Sequence, residues 1–239
     1  MLLVSQSVNP RTAPDRLIMF TRYPQAGQTK TRLIPALGAA GAADLQRQMT
    51  EHLLSQLQPF CTEKRISLQV HFAGGSKAQM SQWLGPDIPL VAQCNGHLGE
   101  KLTFALTQAF AEGTARVVVI GSDCPAISSS NIDKALQQLN SHDVAIGPAA
   151  DGGYYLIALR AMCPHLFEGI PWGTDRVLAM TQAIAHQQHL SVAQLDLLTD
   201  IDRPEDLSIW AAQQAIAAPK TATHRSNQPN QSNQSNQPN

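Results

Sequence analysis

No run of apolar residues in this chain is long enough to cross a bilayer. No C-x-x-C pair occurs among its four cysteines, Cys61, Cys94, Cys124 and Cys163. The first absence argues against a membrane partner, and the second against a zinc site built on paired thiolates. There is no excess of either charge: 17 Lys and Arg stand against 18 Asp and Glu, a net charge of −1. A large basic surface for nucleic acid is therefore not expected. The first residues lack the basic start and the longer apolar segment of a secretory signal, so a cytoplasmic protein with reduced thiols is expected. Two well-known phosphate-binding loops are also missing, G-x-x-x-x-G-K-[ST] and G-x-G-x-x-G.

What is present is a chain of 239 residues, 43% hydrophobic, enough for one domain with a sizeable core. Residues 1–15 read as a loose leader and 16–218 as a single globular domain without internal repeats. Residues 219–239 are an Asn/Gln/Ser/Pro tract with too little apolar surface to offset its ordering entropy, and disorder is expected there.

Strand and helix patterns alternate through the globular part. Strands are expected at 16–22, 66–72, 89–93, 116–120, 143–148, 154–159 and 190–198. Helical spacing marks 39–57, 77–84, 98–110, 130–139, about 174–186 and a final helix with Pro204 in its first turn. Such alternation predicts an α/β fold, a three-layer α/β/α sandwich on a mostly parallel sheet.

The most informative stretch is Val117-Val118-Val119-Ile120-Gly121-Ser122-Asp123-Cys124-Pro125. A continuous β-branched run suits a strand buried on both faces. It ends in a turn whose first charged group is Asp123. Ligands of open α/β sheets bind outside the carboxyl ends of the strands. Asp123 is thus placed either to hold a metal ion or to satisfy the turn's own backbone N–H groups. Cys124 reads as small filler beside that turn.

Further polar constellations accompany it. The loop after the first strand carries Gly27 and then Lys30-Thr31-Arg32, which either contacts phosphate or is a solvated basic loop. Asp202 and Glu205 form a capping-box pattern around Pro204. The alternative is that Asp202 meets Asp123 across a cleft and completes a magnesium or manganese site. Asp151-Gly152-Gly153-Tyr154 is a hairpin turn or the edge of an acceptor pocket. Trp172 is core packing or a stacking platform. Asn95-Gly96-His97-Leu98-Gly99-Glu100 is a plain helix start or part of a nucleotide pocket.

Taken in order, Phe20-Thr21-Arg22-Tyr23-Pro24, Gly27, Lys30-Thr31-Arg32-Leu33, Leu98-Gly99-Glu100, Gly121 to Pro125, Gly147-Pro148, Asp151 to Tyr155, Pro171-Trp172 and Asp202 to Leu207 resemble the bacterial DUF2064 family. That family is also described as selenodomain-associated or arsenosugar-biosynthesis glycosyltransferases of the GT-A fold. The resemblance spans roughly residues 16–210. It implies a nucleotide-sugar donor, a small-molecule acceptor, and Mg²⁺ or Mn²⁺ on Asp123 with Asp202 assisting. It implies nucleotide or phosphate contacts from Arg22, Gly27, Lys30, Thr31, Arg32, Gly96 and Ser122. With such a donor, acceptor contacts are expected from Asp151, Gly152, Gly153, Tyr154 and Trp172, with Asp151 as a candidate general base if the reaction inverts and Lys30 as a catalytic cation.

The Lys30-Thr31-Arg32 loop also looks like that of related nucleotidyltransferases, including phospholactate guanylyltransferases. Asp202 to Leu207 is similar to their D-T-P-E-D-L segment, with Arg203 in place of Thr. Against that second resemblance, the Gly-rich G-x-x-x-R signature usual after their first strand is reduced to Gly27. A metal-dependent glycosyltransferase is therefore the leading expectation. A nucleotidyltransferase releasing pyrophosphate is the alternative, and a non-catalytic nucleotide-sensing module a third.

Overall fold

The computed structural model describes residues 14–217. Residues 1–13 and 218–239, which carry nearly all of the expected leader and the whole expected tail, lie outside the described residues. Asp15, counted with the leader, is fixed. Its carboxylate accepts two bonds from the Arg116 guanidinium at 2.8 and 2.6 Å.

Seven strands, β1 (Arg16–Arg22), β2 (Ser67–Ala73), β3 (Leu90–Ala92), β4 (Val117–Gly121), β5 (Val144–Pro148), β6 (Tyr154–Leu159) and β7 (Val192–Gln194), form one sheet. Their order is β3-β2-β1-β4-β6-β5-β7. All run in one direction except β6, which is antiparallel to both β4 and β5. The cause is local. Only a short turn through Asp151-Gly152-Gly153 joins β5 to β6, so the chain must double back. The helices are α1 (Ile34–Lys64), α2 (Lys77–Leu84), α3 (Leu98–Ala111), α4 (Ser129–Gln138), α5 (Val177–Gln187) and α6 (Leu207–Ala217).

The period of two along the strands feeds two cores. Leu17, Met19, Val118 and Ile120 face α1, α2 and α4, where they meet Leu53, Leu57, Met80 and Ile132. Ile18, Val117 and Val119 face the other way, against Leu102, Leu106 and Ala109 of α3 and Ala185 of α5. That is the expected α/β/α sandwich. A third cluster of Leu33, Leu45, Met49, Ile201 and Trp210 fastens α6 and the loop before it onto α1.

Some boundaries differ from expectation for visible reasons. Gly38 breaks the helical backbone of α1 (φ 71°), so the regular helix starts near the expected residue 39 but runs on to Lys64 across Pro59. Buried Cys61 keeps that last stretch packed. The helix expected from Thr174 begins at Val177. The expected strand 190–198 narrows to Val192–Gln194.

Candidate active site

Strand order reverses between β1 and β4, because β2 and β3 leave on one side of β1 while β4 lies on the other. At such a switch the loops at the carboxyl ends diverge and leave a crevice. A cleft of about 660 Å³ opens there, walled by residues of the β1 and β4 ends, the loop before α1, the start of α3 and the segment 200–202.

Lys30 forms the floor. It takes a left-handed backbone conformation (φ 51°, ψ 45°), and its side chain is only 3% exposed. Its Nζ donates to the Ile201 carbonyl at 2.6 Å. The same ammonium stands 2.9 Å from Asp123 Oδ1 and 3.8 Å from Asp202 Oδ1. Arg32 approaches Asp202 from the solvent side, donating from Nη1 to Oδ2. The backbone ties the loops further, since Ile201 N–H donates to the Asp123 carbonyl at 2.8 Å. The two aspartates therefore do meet across the cleft.

The capping reading of Asp202 is resolved by its neighbours. Asp206, four residues on, accepts from the Asp202 and Arg203 N–H groups at 3.1 and 2.8 Å. With that task taken, the Asp202 carboxylate is left for the cleft. Asp200 is half-buried beside them, and its carboxyl is pushed up to about 7 by desolvation first and then by the charges of Asp123, Asp151 and Asp202, against the opposing pull of Lys30.

Beneath the β4 turn lies a buried hydroxyl–amide network. Gln46 Nε2 donates to Ser122 Oγ at 2.8 Å, and Ser122 Oγ donates to Thr21 Oγ1 at 3.1 Å. Thr21 and Thr50 share a bond of 2.9 Å. The signal for Gln46 and Thr50 was present in the sequence. They are polar residues one helical turn apart on the apolar face that also carries Leu45, Met49 and Leu53. Asp200 carried no such signal.

The expected site residues divide. Arg22, Lys30, Thr31, Arg32, Gly96, Ser122, Asp123, Tyr154 and Asp202 line the cleft, joined by Gln93, His97, Lys101 and Tyr155. Gly27, Asp151, Gly152, Gly153 and Trp172 do not line it. Asp151 is occupied locally, its Oδ1 accepting the Gly153 N–H at 2.8 Å in a tight turn. Gly152 (φ 88°) packs its backbone against Asp175. Trp172 packs edge-on against Tyr154 with ring centroids 6.2 Å apart. Cys124 is buried, and burial drives its thiol well above the ordinary range, which removes it as a nucleophile.

Among the described residues no group of three or more His, Cys, Asp or Glu side chains is arranged to hold a metal ion. A closed protein cage is thus not built. The donor set fits a shared site nevertheless. Asp123 and Asp202 present half-exposed carboxylate oxygens (side chains 51% and 40% exposed) to the cleft, and magnesium commonly takes one or two carboxylates with the remainder from phosphate and water.

Comparison with known proteins agrees with this architecture. Residues 56–174 match the DUF2064 model, described as uncharacterized proteins conserved in bacteria. A crystal structure from Desulfovibrio desulfuricans G20, described as a putative nucleotide-diphospho-sugar transferase, is 34% identical. It superposes with a TM-score of 0.79 over 90% of this chain and 91% of its own. The 3-phospho-D-glycerate guanylyltransferase of Phenylobacterium zucineum is 33% identical over 96 residues. That alignment covers 38% of this chain and 42% of that protein, under half of its length. The 2-phospho-L-lactate guanylyltransferase of Methanobrevibacter ruminantium is 22% identical over 199 residues, 81% of this chain and 84% of that one. Among the described residues no helix is long and apolar enough to cross a membrane.

These relatives correct the leading functional expectation. Glycosyl transfer from a nucleotide sugar to a small-molecule acceptor does not stand, because both curated relatives are guanylyltransferases acting on a phosphorylated small molecule. The cleft keeps its cation–carboxylate constellation with Gly27 outside it.

Proposed function

The chain belongs to the broad GT-A/nucleotidyltransferase superfamily, and we propose that within it the protein transfers a nucleotidyl group from a nucleoside triphosphate to a phosphorylated small molecule, releasing pyrophosphate. The observation that carries the reading is the cleft itself: a carboxylate pair at its floor with Arg22, Arg32 and Lys101 around it. That is the charge pattern a metal-bound triphosphate demands. Guanine nucleotides come first as donors, because guanylyltransferases are the sequence relatives. Four unpaired thiols and a nucleoside triphosphate donor suit a cytoplasmic enzyme.

In this reading the acceptor's phosphate oxygen attacks the α-phosphorus of the donor. The bond from that phosphorus to the bridging oxygen breaks, and pyrophosphate departs with the electron pair. Asp123 and Asp202 would hold Mg²⁺ or Mn²⁺, which when bound supplies positive charge against the phosphate oxygens. Arg22 and Lys101 are cations on the cleft wall, neither paired with a carboxylate among the described residues. They are free to bind phosphate oxygens and stabilise the leaving group. Gln46, through Ser122, holds the turn that presents Asp123. Asp151 has no role in this reading, because it does not line the cleft. A phosphate nucleophile is already ionised at neutral pH and needs no general base.

The test is pyrophosphate release from GTP, with Mg²⁺ and either 3-phosphoglycerate or 2-phospholactate, alongside thermal shift with each of the four nucleoside triphosphates. Release with any acceptor supports the proposal. No release, together with no triphosphate raising the melting temperature, refutes it.

A further inference from the structure

The lysine expected to grip phosphate is not placed to do so. Lys30 Nζ lies beneath the carboxylates, on a side chain 3% exposed, bonded to the Ile201 carbonyl and in contact with Asp123 and Asp202. One donor goes to the Ile201 carbonyl, and the charge of the ammonium is turned on Asp123 at 2.9 Å and Asp202 at 3.8 Å. The backbone shows that the position is enforced. Lys30 is one of three non-glycine residues with positive φ among the described residues, a disfavoured conformation that persists only where the surroundings over-determine it.

We propose that Lys30 is a positioning residue. Its ammonium is the resident counter-cation of the Asp123–Asp202 pair, and it keeps that pair from taking a bare divalent ion, so that metal is bound only together with the phosphates of the donor. The inference rests on Asp123 and Asp202 being the metal ligands of the proposed reaction. A divalent ion on the same carboxylates sits within a few ångströms of the ammonium and is repelled by it. Arg32, on the outer side of Asp202, adds to that repulsion. A triphosphate arriving with the ion brings the negative charge that offsets both. Lys30 thereby couples metal binding to nucleotide binding and holds the carboxylates apart and oriented before either arrives.

The experiment is direct titration of the full-length protein with Mn²⁺, read by the paramagnetic resonance signal of the free ion, without nucleotide. The wild-type chain is expected to bind Mn²⁺ weakly, in the millimolar range. Lys30→Gln keeps a donor for the Ile201 carbonyl but removes the charge, and it is expected to bind Mn²⁺ at least tenfold more tightly. Lys30→Met is expected to do the same, and Lys30→Arg to bind as weakly as wild type. A lysine that served only structure would give the opposite sign, since its loss would loosen the aspartates and weaken the metal. Unchanged or weaker binding in the folded neutral variants overturns the proposal. So does micromolar binding by the wild-type chain, which needs no variant and therefore decides even if the variants fail to fold. Failure of the underlying reading shows separately: Asp123→Asn would then leave Mn²⁺ binding in the presence of GTP unchanged.

Discussion

Asp123→Asn separates catalysis from folding. The carboxylate is 51% exposed and lies 2.9 Å from the buried Lys30 ammonium. Asparagine is nearly isosteric and its amide oxygen can still accept from Nζ. Lys30 also keeps the Ile201 carbonyl and the Asp202 carboxylate. What is lost is one unit of charge at a half-solvated position. The stability cost is therefore about 1 kcal/mol or less, well short of the several kcal/mol that follow when a buried charge is stripped of its partners. For a chain of this size that is a melting shift of roughly 2–4 °C. Catalysis has no such cushion. An amide is a poor ligand for a hard divalent ion, and removing one element of preorganised charge typically costs about 10²–10³ in rate. The assay pairs thermal denaturation with pyrophosphate release at saturating GTP. Turnover within tenfold of wild type would remove Asp123 from the mechanism. A collapse of the fold would mean that the Lys30–Asp123 contact is chiefly structural.

Arg22→Ala and Lys101→Ala are each expected to raise the KM for the triphosphate about tenfold or more, the loss of one charge-assisted contact, with little change in melting temperature; steady-state kinetics at varied GTP checks this. Gly152→Ala is expected to destabilise by about 2–4 kcal/mol, combining left-handed strain with overpacking, because the added carbon would fall 2.2 Å from the Asp175 carbonyl oxygen at φ 88°; chemical denaturation measures it. His71 is buried and stacked on Phe20, and burial holds its imidazole down at about 4 from the usual 6.5, with Arg16 adding to the effect. The unfolded chain takes up that proton first, so this contribution to stability is full above about pH 6.5 and is lost as the pH falls towards 4, by about 3 kcal/mol in all. Between pH 6.5 and 4 the wild type is expected to lose about 3 kcal/mol relative to His71→Phe, whose residue 71 does not titrate, as read from denaturation midpoints across that window.

The site was partly legible for reasons that particular residues make plain. Asp123 could be found because a β-branched run and a turn announce a strand end, and strand ends carry the ligands of such sheets. Asp202 was ambiguous because one carboxylate at a helix start can cap or bind. Only the bonds that the Asp202 and Arg203 N–H groups donate to Asp206 free it. Asp151 looked equivalent in the sequence, but it does not line the cleft, and its Oδ1 accepts the Gly153 N–H of its own turn. Gln46 and Thr50 are marked in the sequence as polar residues on an apolar helix face, whereas Asp200 matters only through the loops packed around it. The choice between glycosyl and nucleotidyl transfer was misread from one missing loop signature.

By itself the sequence determined the layers of this protein. Alternating strand and helix periods, with apolar residues on both faces of β1 and β4, admit few arrangements other than a covered, mostly parallel sheet, because that rule operates between near neighbours. The tertiary structure alone decided which charges face one another. Lys30 and the Ile201 carbonyl are 171 residues apart in the chain and 2.6 Å apart in space. Whether a lysine is a solvated phosphate ligand or a buried counter-ion depends on the loops brought over it, and no local pattern records that meeting.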